Sequence, residues 1–190
     1  QKAVRARDVA DFEKMYRIIN NDPQNEILWV PAAAVKKIQK ARYAEMVLHE
    51  MWCVANLRIK SVEIQGDSAA VRFHHPESRI QFEHPWPRPM VTKDGHNSAF
   101  YLTNAMELLD EPGEWYHDIE SRKIYYYPRK GEKISKAVVP GIETLVWVEG
   151  TIDRPVKHIR FDNIAFQYTT WMRPSLQGHV PLQAGMYMTD

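Results

Sequence analysis

Trp171, Arg173 and Gln183, near the C-terminal end, are the residues whose types could do the most specific chemistry. An indole plane beside guanidinium and amide donors suits a ligand with a flat apolar face and a rim of hydroxyls. The same residues also have a structural use, with Trp171 packing as a lid and Gln183 satisfying a backbone corner. A second group is acidic: Asp110, Glu111, Glu114 and Asp118. Paired carboxylates serve general acid–base chemistry, but these lie in a turn and a hairpin, where carboxylates cap N–H groups and face water. Capping is therefore their expected role. His74 and His75, with His84 following, form a third group. Adjacent residues at a strand end point to opposite faces, which makes a poor chelate, so no metal is expected. No Gly-rich phosphate loop, nucleophile elbow or Ser-His-Asp spacing is present, and no cofactor is expected.

The chain has 190 residues, 44% hydrophobic and 26% charged, with a formal net charge of +1. Its mean hydropathy is -0.49. These values describe a water-compatible globular chain with no electrostatic footprint for nucleic acid or anionic lipid. No apolar run approaches the roughly 18 residues of a membrane span. A single cysteine, Cys53, excludes an internal disulfide and a multi-cysteine zinc site. The chain ends beside a strand-like alternation, Gly185-Met186-Tyr187-Met188, and is expected to be a piece of a longer protein.

The elements that must position these residues are mostly strands. Asp8, with Val9, Phe12, Met15, Tyr16 and Ile19 in helical rhythm, predicts a helix over 8–20. Pro31 heads a short helix over 32–38. Leu57, Ile59, Val62 and Ile64 alternate with one slip at Lys60-Ser61, predicting a bulged strand that turns at Gly66-Asp67 and returns through Val71 and Phe73. Residues 76–98, with four prolines, read as loop. Phe100-Tyr101-Leu102 leads into a helical turn at 106–109, and 114–118 and 123–127 form an aromatic hairpin expected to be covered on both faces. Trp29, Trp52, Trp115 and Trp147 lie in apolar patterns and are expected in the core. Beyond Pro140, Leu145–Val148 reads as a strand and 150–155 as a turn. In Ile159–Phe166 an Ile-x-Phe unit recurs after a corner that carries Asn163. Apolar alternation broken by polar corners is the pattern of stacked β-solenoid coils.

The run Asn104-Ala105-Met106-Glu107-Leu108-Leu109-Asp110-Glu111-Pro112-Gly113-Glu114-Trp115-Tyr116 carries the densest resemblance to known proteins. With Lys123-Ile124-Tyr125-Tyr126, Gly150-Thr151 and Pro155–Phe161, it resembles bacterial right-handed parallel β-helix proteins that include glycoside hydrolase family 141. Arg5-Ala6-Arg7 looks like the strand end that precedes the family's insertion domain. Trp171, Gly178 and Gln183 fall where such proteins carry a Trp, a Gly and a Gln in a coil loop. One departure is Ser121-Arg122, where many relatives place a Gly in the turn.

The resemblance implies a mainly β fold. Residues 1–7 would end a preceding solenoid strand, and 8–130 would form a mixed α+β insertion domain with the aromatic β-hairpin. Residues 131–190 would begin a partial right-handed parallel β-helix. A coil cannot bury its own core, so Leu145, Val148, Phe161, Ile164 and Phe166 are expected to face either a truncated core or coils from elsewhere in the parent. The implied parent is a periplasmic or extracellular glycosidase acting on polysaccharide, with its catalytic carboxylates outside this chain and this piece inactive alone. Its partners would be a polysaccharide or oligosaccharide and the remainder of the β-helix, with no nucleic acid or membrane. A non-catalytic carbohydrate-binding or structural solenoid is the alternative.

Overall fold

The alternation of Leu57, Ile59, Val62 and Ile64 produces the longest strand, β5 (Val54–Gln65), which turns at Gly66-Asp67 into antiparallel β6 (Ser68–Phe73). The slip at Lys60-Ser61 is a register shift: Ile59 faces Phe73, whereas Ser61 faces Arg72. A bulge bends its strand, and here β5 serves two neighbours, β4 (Glu45–His49) along its first half and β6 along its second. The chain is seen in a computed structural model that describes residues 13–83, 87–170, 178–182 and 185–186. It divides into two compact units, Gln1–Lys133 with Arg173–Asp190, and Ile134–Met172.

In the first unit β7 (Ala99–Thr103) pairs with β4, and β3 (Ile27–Pro31) pairs with β6. The sheet's two ends are β1 (Tyr16–Arg17), bonded to β7, and β2 (Asn20–Asp22), bonded to β3. These are successive pieces of one segment. Between them the Ile18 N–H donates to the Ser98 carbonyl at 3.0 Å and the Ile19 N–H to the Trp29 carbonyl at 2.6 Å. The sheet, ordered β1-β7-β4-β5-β6-β3-β2 and antiparallel at every pairing, therefore closes on itself as a barrel and leaves no long open edge. The helix predicted over 8–20 is corrected accordingly. Its described part is a turn followed by strand, because a helix would forfeit hydrogen bonds to two flanking strands at once. Ile18 points into the barrel and is buried, while Tyr16 and Ile19 are exposed.

Leu28, Val30, Met46, Leu48, Ala55, Leu57, Ile59, Val71, Phe73 and Phe100 fill the barrel as one cluster. Burying each of the larger aliphatic or aromatic side chains contributes about 1.5–3 kcal/mol. Pro31 starts the short helix as expected: α1 (Ala32–Val35) continues into a 3₁₀ turn, Lys36–Ile38, and sends Val35 and Ile38 into the same core. A second 3₁₀ turn follows β7 at Met106–Leu108.

Residues 76–98 are not all loop, because α2 (Glu77–Glu83) lies among them. Pro76 precedes its first residue as Pro31 precedes α1, and the Ser78 and Ile80 N–H groups reach back to the carbonyls of His74 and Pro76. Its buried face is Glu77, Ser78, Ile80 and Gln81. That face is mostly polar and gives no apolar periodicity to detect.

The aromatic hairpin is β8 (Trp115–Asp118) with β9 (Lys123–Tyr126), pairing Trp115 with Tyr126 and Tyr116 with Tyr125. Its coverage is partial, since Tyr125 and Tyr126 are half-buried and Ile124 and Tyr127 exposed. Arg122 adopts φ +54, so the turn keeps the left-handed geometry for which glycine is the usual residue. The Asp118 carboxylate holds it by accepting the N–H groups of Glu120 at 3.0 Å and Ser121 at 3.2 Å. Two further strands, β10 (Pro181–Leu182) and β11 (Gly185–Met186), pair near the C-terminus.

The second unit has no regular helix or strand among its described residues. Thr151 and Arg154 close the expected turn through reciprocal backbone bonds of 3.1 and 3.2 Å. The rings of Phe161 and Phe166 meet edge to face at 5.5 Å. His158, Asn163 and Tyr168 all take positive φ, so the expected Asn corner is one of three. Leu145, Val148, Phe161, Ile164 and Phe166 are all exposed. Two tryptophans expected in the core are also on the surface, Trp52 at 50% exposure and Trp147 at 76%. Trp147 lies in this open segment, and its indole N–H donates to Glu149 at 2.9 Å.

Candidate functional site

Acidic residues are the natural start for a site, and among the described residues four carboxylates are buried: Glu45, Glu50, Glu77 and Glu114. A buried carboxylate needs hydrogen-bond donors, and each has them. Glu114 accepts the backbone N–H groups of Asp110 at 3.1 Å and Glu111 at 3.0 Å, which makes it the cap of the turn before β8. Glu45 accepts the Asn104 amide at 3.3 Å. Asp118, half-exposed, is held by its own turn, and those bonds, led by the Ser121 hydroxyl, lower its pKa. The capping role expected for Glu114 and Asp118 is the one observed.

Glu77 opens α2 and meets Arg58 of β5 in a two-pronged pair, Nε to Oε1 at 2.6 Å and Nη2 to Oε2 at 2.9 Å. The Arg58 backbone N–H adds a third bond at 3.3 Å, and Nη2 also reaches the His75 carbonyl at 3.2 Å. These bonds to Glu77 raise the Arg58 pKa further. The C-terminal segment docks beside this pair. Asn56 and His179 exchange backbone bonds of 2.8 Å each, and Val180 joins the barrel core. Gly178 lies at φ +69, where a Cβ would stand 2.7 Å from the Glu77 carboxyl carbon. No larger residue fits that approach without displacing the ion pair.

On α2 one turn beyond Glu77, Gln81 faces a cleft of about 570 Å³. Asn20, Asn21 and Pro23 line it from the β2 side, Gln81, Phe82 and Glu83 from α2, and Met51 and Arg88–Thr92 complete the wall. Gln81 is only 1% exposed. Its Nε2 donates to Glu50 Oε1 at 2.7 Å, but its Oε1 has no protein partner. The Asn21 Oδ1 is buried and unpartnered in the same way. Behind Gln81, Glu50 also accepts the Cys53 thiol at 3.4 Å. Burial raises the Glu50 pKa and, with Glu50 beside it, pushes the Cys53 thiol up to about 12, so Cys53 stays a protonated donor. The buried Thr92 hydroxyl is unpartnered too, so the cleft combines two carbonyl acceptors and a hydroxyl with the apolar surfaces of Met51, Phe82, Met90 and Val91.

Trp171, Arg173 and Gln183, the binding residues expected from sequence, lie outside the described residues, as do His84 and the 1–7 strand end. His74 and His75 are both exposed, and no cluster of metal-ligating side chains occurs among the described residues. Gln81 and Asn21 escaped the sequence reading because isolated amides in a polar stretch carry no motif. The polar face of α2 was the only signal for Gln81, and Asn21 on β2 had none.

The GH141 insertion domain family matches this chain over residues 1–129. The chain belongs to that family. A solved structure named "Glycoside hydrolase" superimposes with a TM-score of 0.89 at 71% identity, covering 98% of this chain and 33% of that one. This chain thus spans about a third of the length of that protein. No curated protein matches the chain. The closed barrel, α2 and the aromatic hairpin are accordingly the described architecture of a GH141 insertion domain.

Proposed function

We propose that this chain is a non-catalytic portion of a carbohydrate-active enzyme that hydrolyses glycosidic bonds in polysaccharide. Glycoside hydrolysis uses two carboxyl groups placed on either side of the bond, about 5–10 Å apart. The observation that carries the proposal is that all four buried carboxylates among the described residues are committed to internal partners. The acid and the base or nucleophile would come from the rest of the parent. Family membership and the glycoside hydrolase superposition support the substrate class.

Residues 131–190 would begin the parent's right-handed parallel β-helix, with 1–7 ending the strand before the insertion. The exposed apolar residues between Ile134 and Tyr168 and the left-handed corners at His158, Asn163 and Tyr168 support this reading. Each coil of a solenoid is buried by its neighbours. Trp171, Arg173 and Gln183 are the proposed sugar contacts of the first coil, and the parent would work in the periplasm or outside the cell. The test compares this chain with the whole protein on a panel of plant and host polysaccharides. Turnover by the whole protein alone is expected, and it should survive Glu114→Gln and Asp118→Asn in folded protein. Turnover by the isolated chain would overturn the proposal. Glycan binding by the whole protein without turnover would favour a non-catalytic binding solenoid instead.

A further inference from the structure

We infer that the cleft between α2 and Arg88–Thr92 binds a short stretch of neutral glycan, gripping its hydroxyl groups with the side-chain oxygens of Gln81 and Asn21. The inference rests on the carbohydrate-active reading of the parent, which selects sugars among hydroxyl-bearing ligands. Leaving a buried acceptor unpaired costs about 1–3 kcal/mol, and three such oxygens line one cleft here, those of Gln81, Asn21 and the Thr92 hydroxyl. The Gln81 and Asn21 oxygens are amide carbonyls, which accept and never donate, whereas the Thr92 hydroxyl can do either. The complementary ligand must therefore bring donors for the two carbonyls and a group that pairs with a hydroxyl, a combination that O–H groups supply.

The remaining wall fits a sugar as well. Met51 and Val91 are exposed at 49% and 45%, and Phe82 and Met90 lie with them, matching the apolar face that a pyranose ring presents between its hydroxyls. The charges on the wall, Glu83 and Arg88, are opposite in sign, so the cleft shows no net preference for a charged ligand. Its volume of about 570 Å³ falls within the usual range for small-molecule sites. One acceptor is also held ready. Gln81 is fixed through its nitrogen by Glu50, which is fixed in turn by Cys53, so little side-chain freedom is lost on binding.

The test uses the whole protein with methyl-labelled methionines, the Met51 signal being assigned by Met51→Leu. Gluco-, xylo-, manno- and galacto-hexaose are each titrated to roughly 10 mM, a range that captures weak sugar affinities. At least one hexaose is expected to shift Met51. Gln81→Met and Asn21→Ala should each weaken that binding tenfold or more. Should Gln81→Met fail to fold because Glu50 loses its donor, Asn21→Ala decides alone. Silence of Met51 with all four sugars overturns the inference, and so does unchanged affinity in the folded variants. A response to methylammonium with the sugars silent also overturns it, by making the cleft a cation site. Turnover of polysaccharide is read separately. Turnover with a silent Met51 removes the cleft and leaves the enzyme reading standing, whereas a sugar response without turnover removes the enzyme reading and leaves the cleft.

Discussion

The barrel and the 134–172 unit are built from the same kind of sequence and end in opposite states. In β5, Ala55, Leu57 and Ile59 alternate with polar neighbours and are at most 4% exposed. Around the second unit's corners, Ile159 with Phe161 and Ile164 with Phe166 keep the same two-residue spacing, yet they are 50–59% exposed. The first group has hydrogen-bonded strands on both sides, whereas the second has no strand partners among the described residues. An alternating pattern thus specifies a strand only when another strand accepts its backbone. The barrel finds that partner within itself, by returning one segment, 16–22, to both ends of its sheet.

The sharpest way to break this comparison is to truncate one leucine in each region. Leu57→Ala should destabilise the chain by about 2–5 kcal/mol, as deletion from a filled core does. Leu145→Ala should cost less than about 0.5 kcal/mol in the same urea titration, because a surface truncation leaves no cavity. In the whole protein the second number should rise to about 2 kcal/mol if further coils cover Leu145. A small value there would mean that the residue stays open in the parent and would remove the solenoid from the proposal.

Two glycines give the next contrast. Gly178→Ala forces a Cβ against Glu77 at a φ of +69 and should cost about 1–3 kcal/mol. Loss of protection of the Asn56 and His179 amides in hydrogen exchange should accompany it. Gly141 has open space around its Cβ position, so Gly141→Ala should be neutral or slightly stabilising, by at most about 0.5–1 kcal/mol. Equal costs at the two positions would show that the C-terminal segment does not depend on the close approach to Glu77.

These contrasts also show what could be read in the residues beforehand. The bulge at Lys60-Ser61, the Gly66-Asp67 turn, the proline-led helix at 32 and the aromatic hairpin were legible because each has a local cause in its own residues. Barrel closure was not. Of the 16–22 segment only Ile18 is a buried apolar residue, too short a pattern to outweigh the helical spacing of Met15, Tyr16 and Ile19. Helix α2 was hidden for a related reason, since Glu77, Ser78 and Gln81 on its buried face are polar. The cleft was hidden with it. An amide becomes informative only when burial leaves one of its atoms unpartnered, and that is a property of the fold.

Acidity should separate Glu50 from the solvated carboxylates. Burial raises its folded pKa above the unfolded value near 4.5. A raised carboxyl pKa means that the folded state holds the proton more tightly. Its contribution is therefore fully present below about pH 4.5 and is lost as pH rises through the folded value. Glu50→Gln should remove that loss while keeping an acceptor for Gln81. The variant should gain stability relative to the parent chain at pH 7, and the gap should close as pH falls toward 4. Asp118 runs the other way: its lowered pKa gives stability that is present above about pH 3.8 and lost on acidification, so Asp118→Asn should lose most near neutrality. Parallel pH profiles for the two variants would contradict both assignments.

The smallest effect compares left-handed positions in the two regions. Arg122 in the hairpin and Asn163 in the second unit share nearly the same φ, +54 and +55. A residue with a Cβ loses roughly 1–2 kcal/mol in this conformation, whereas Asn recovers part of that through local hydrogen bonding. Glycine removes the steric cost but adds about 0.5–1 kcal/mol of unfolded-state entropy. The balance for Arg122→Gly is therefore a gain of about 0.5–1 kcal/mol, which also restores the residue type that the resembling turns carry. For Asn163→Gly the two terms nearly cancel, leaving a change within about 0.3 kcal/mol. Thermal melts of the two variants separate these cases. A destabilising Arg122→Gly would mean that the guanidinium contributes more to the hairpin than its backbone costs, and the turn would then be held by its side chain as well as by Asp118.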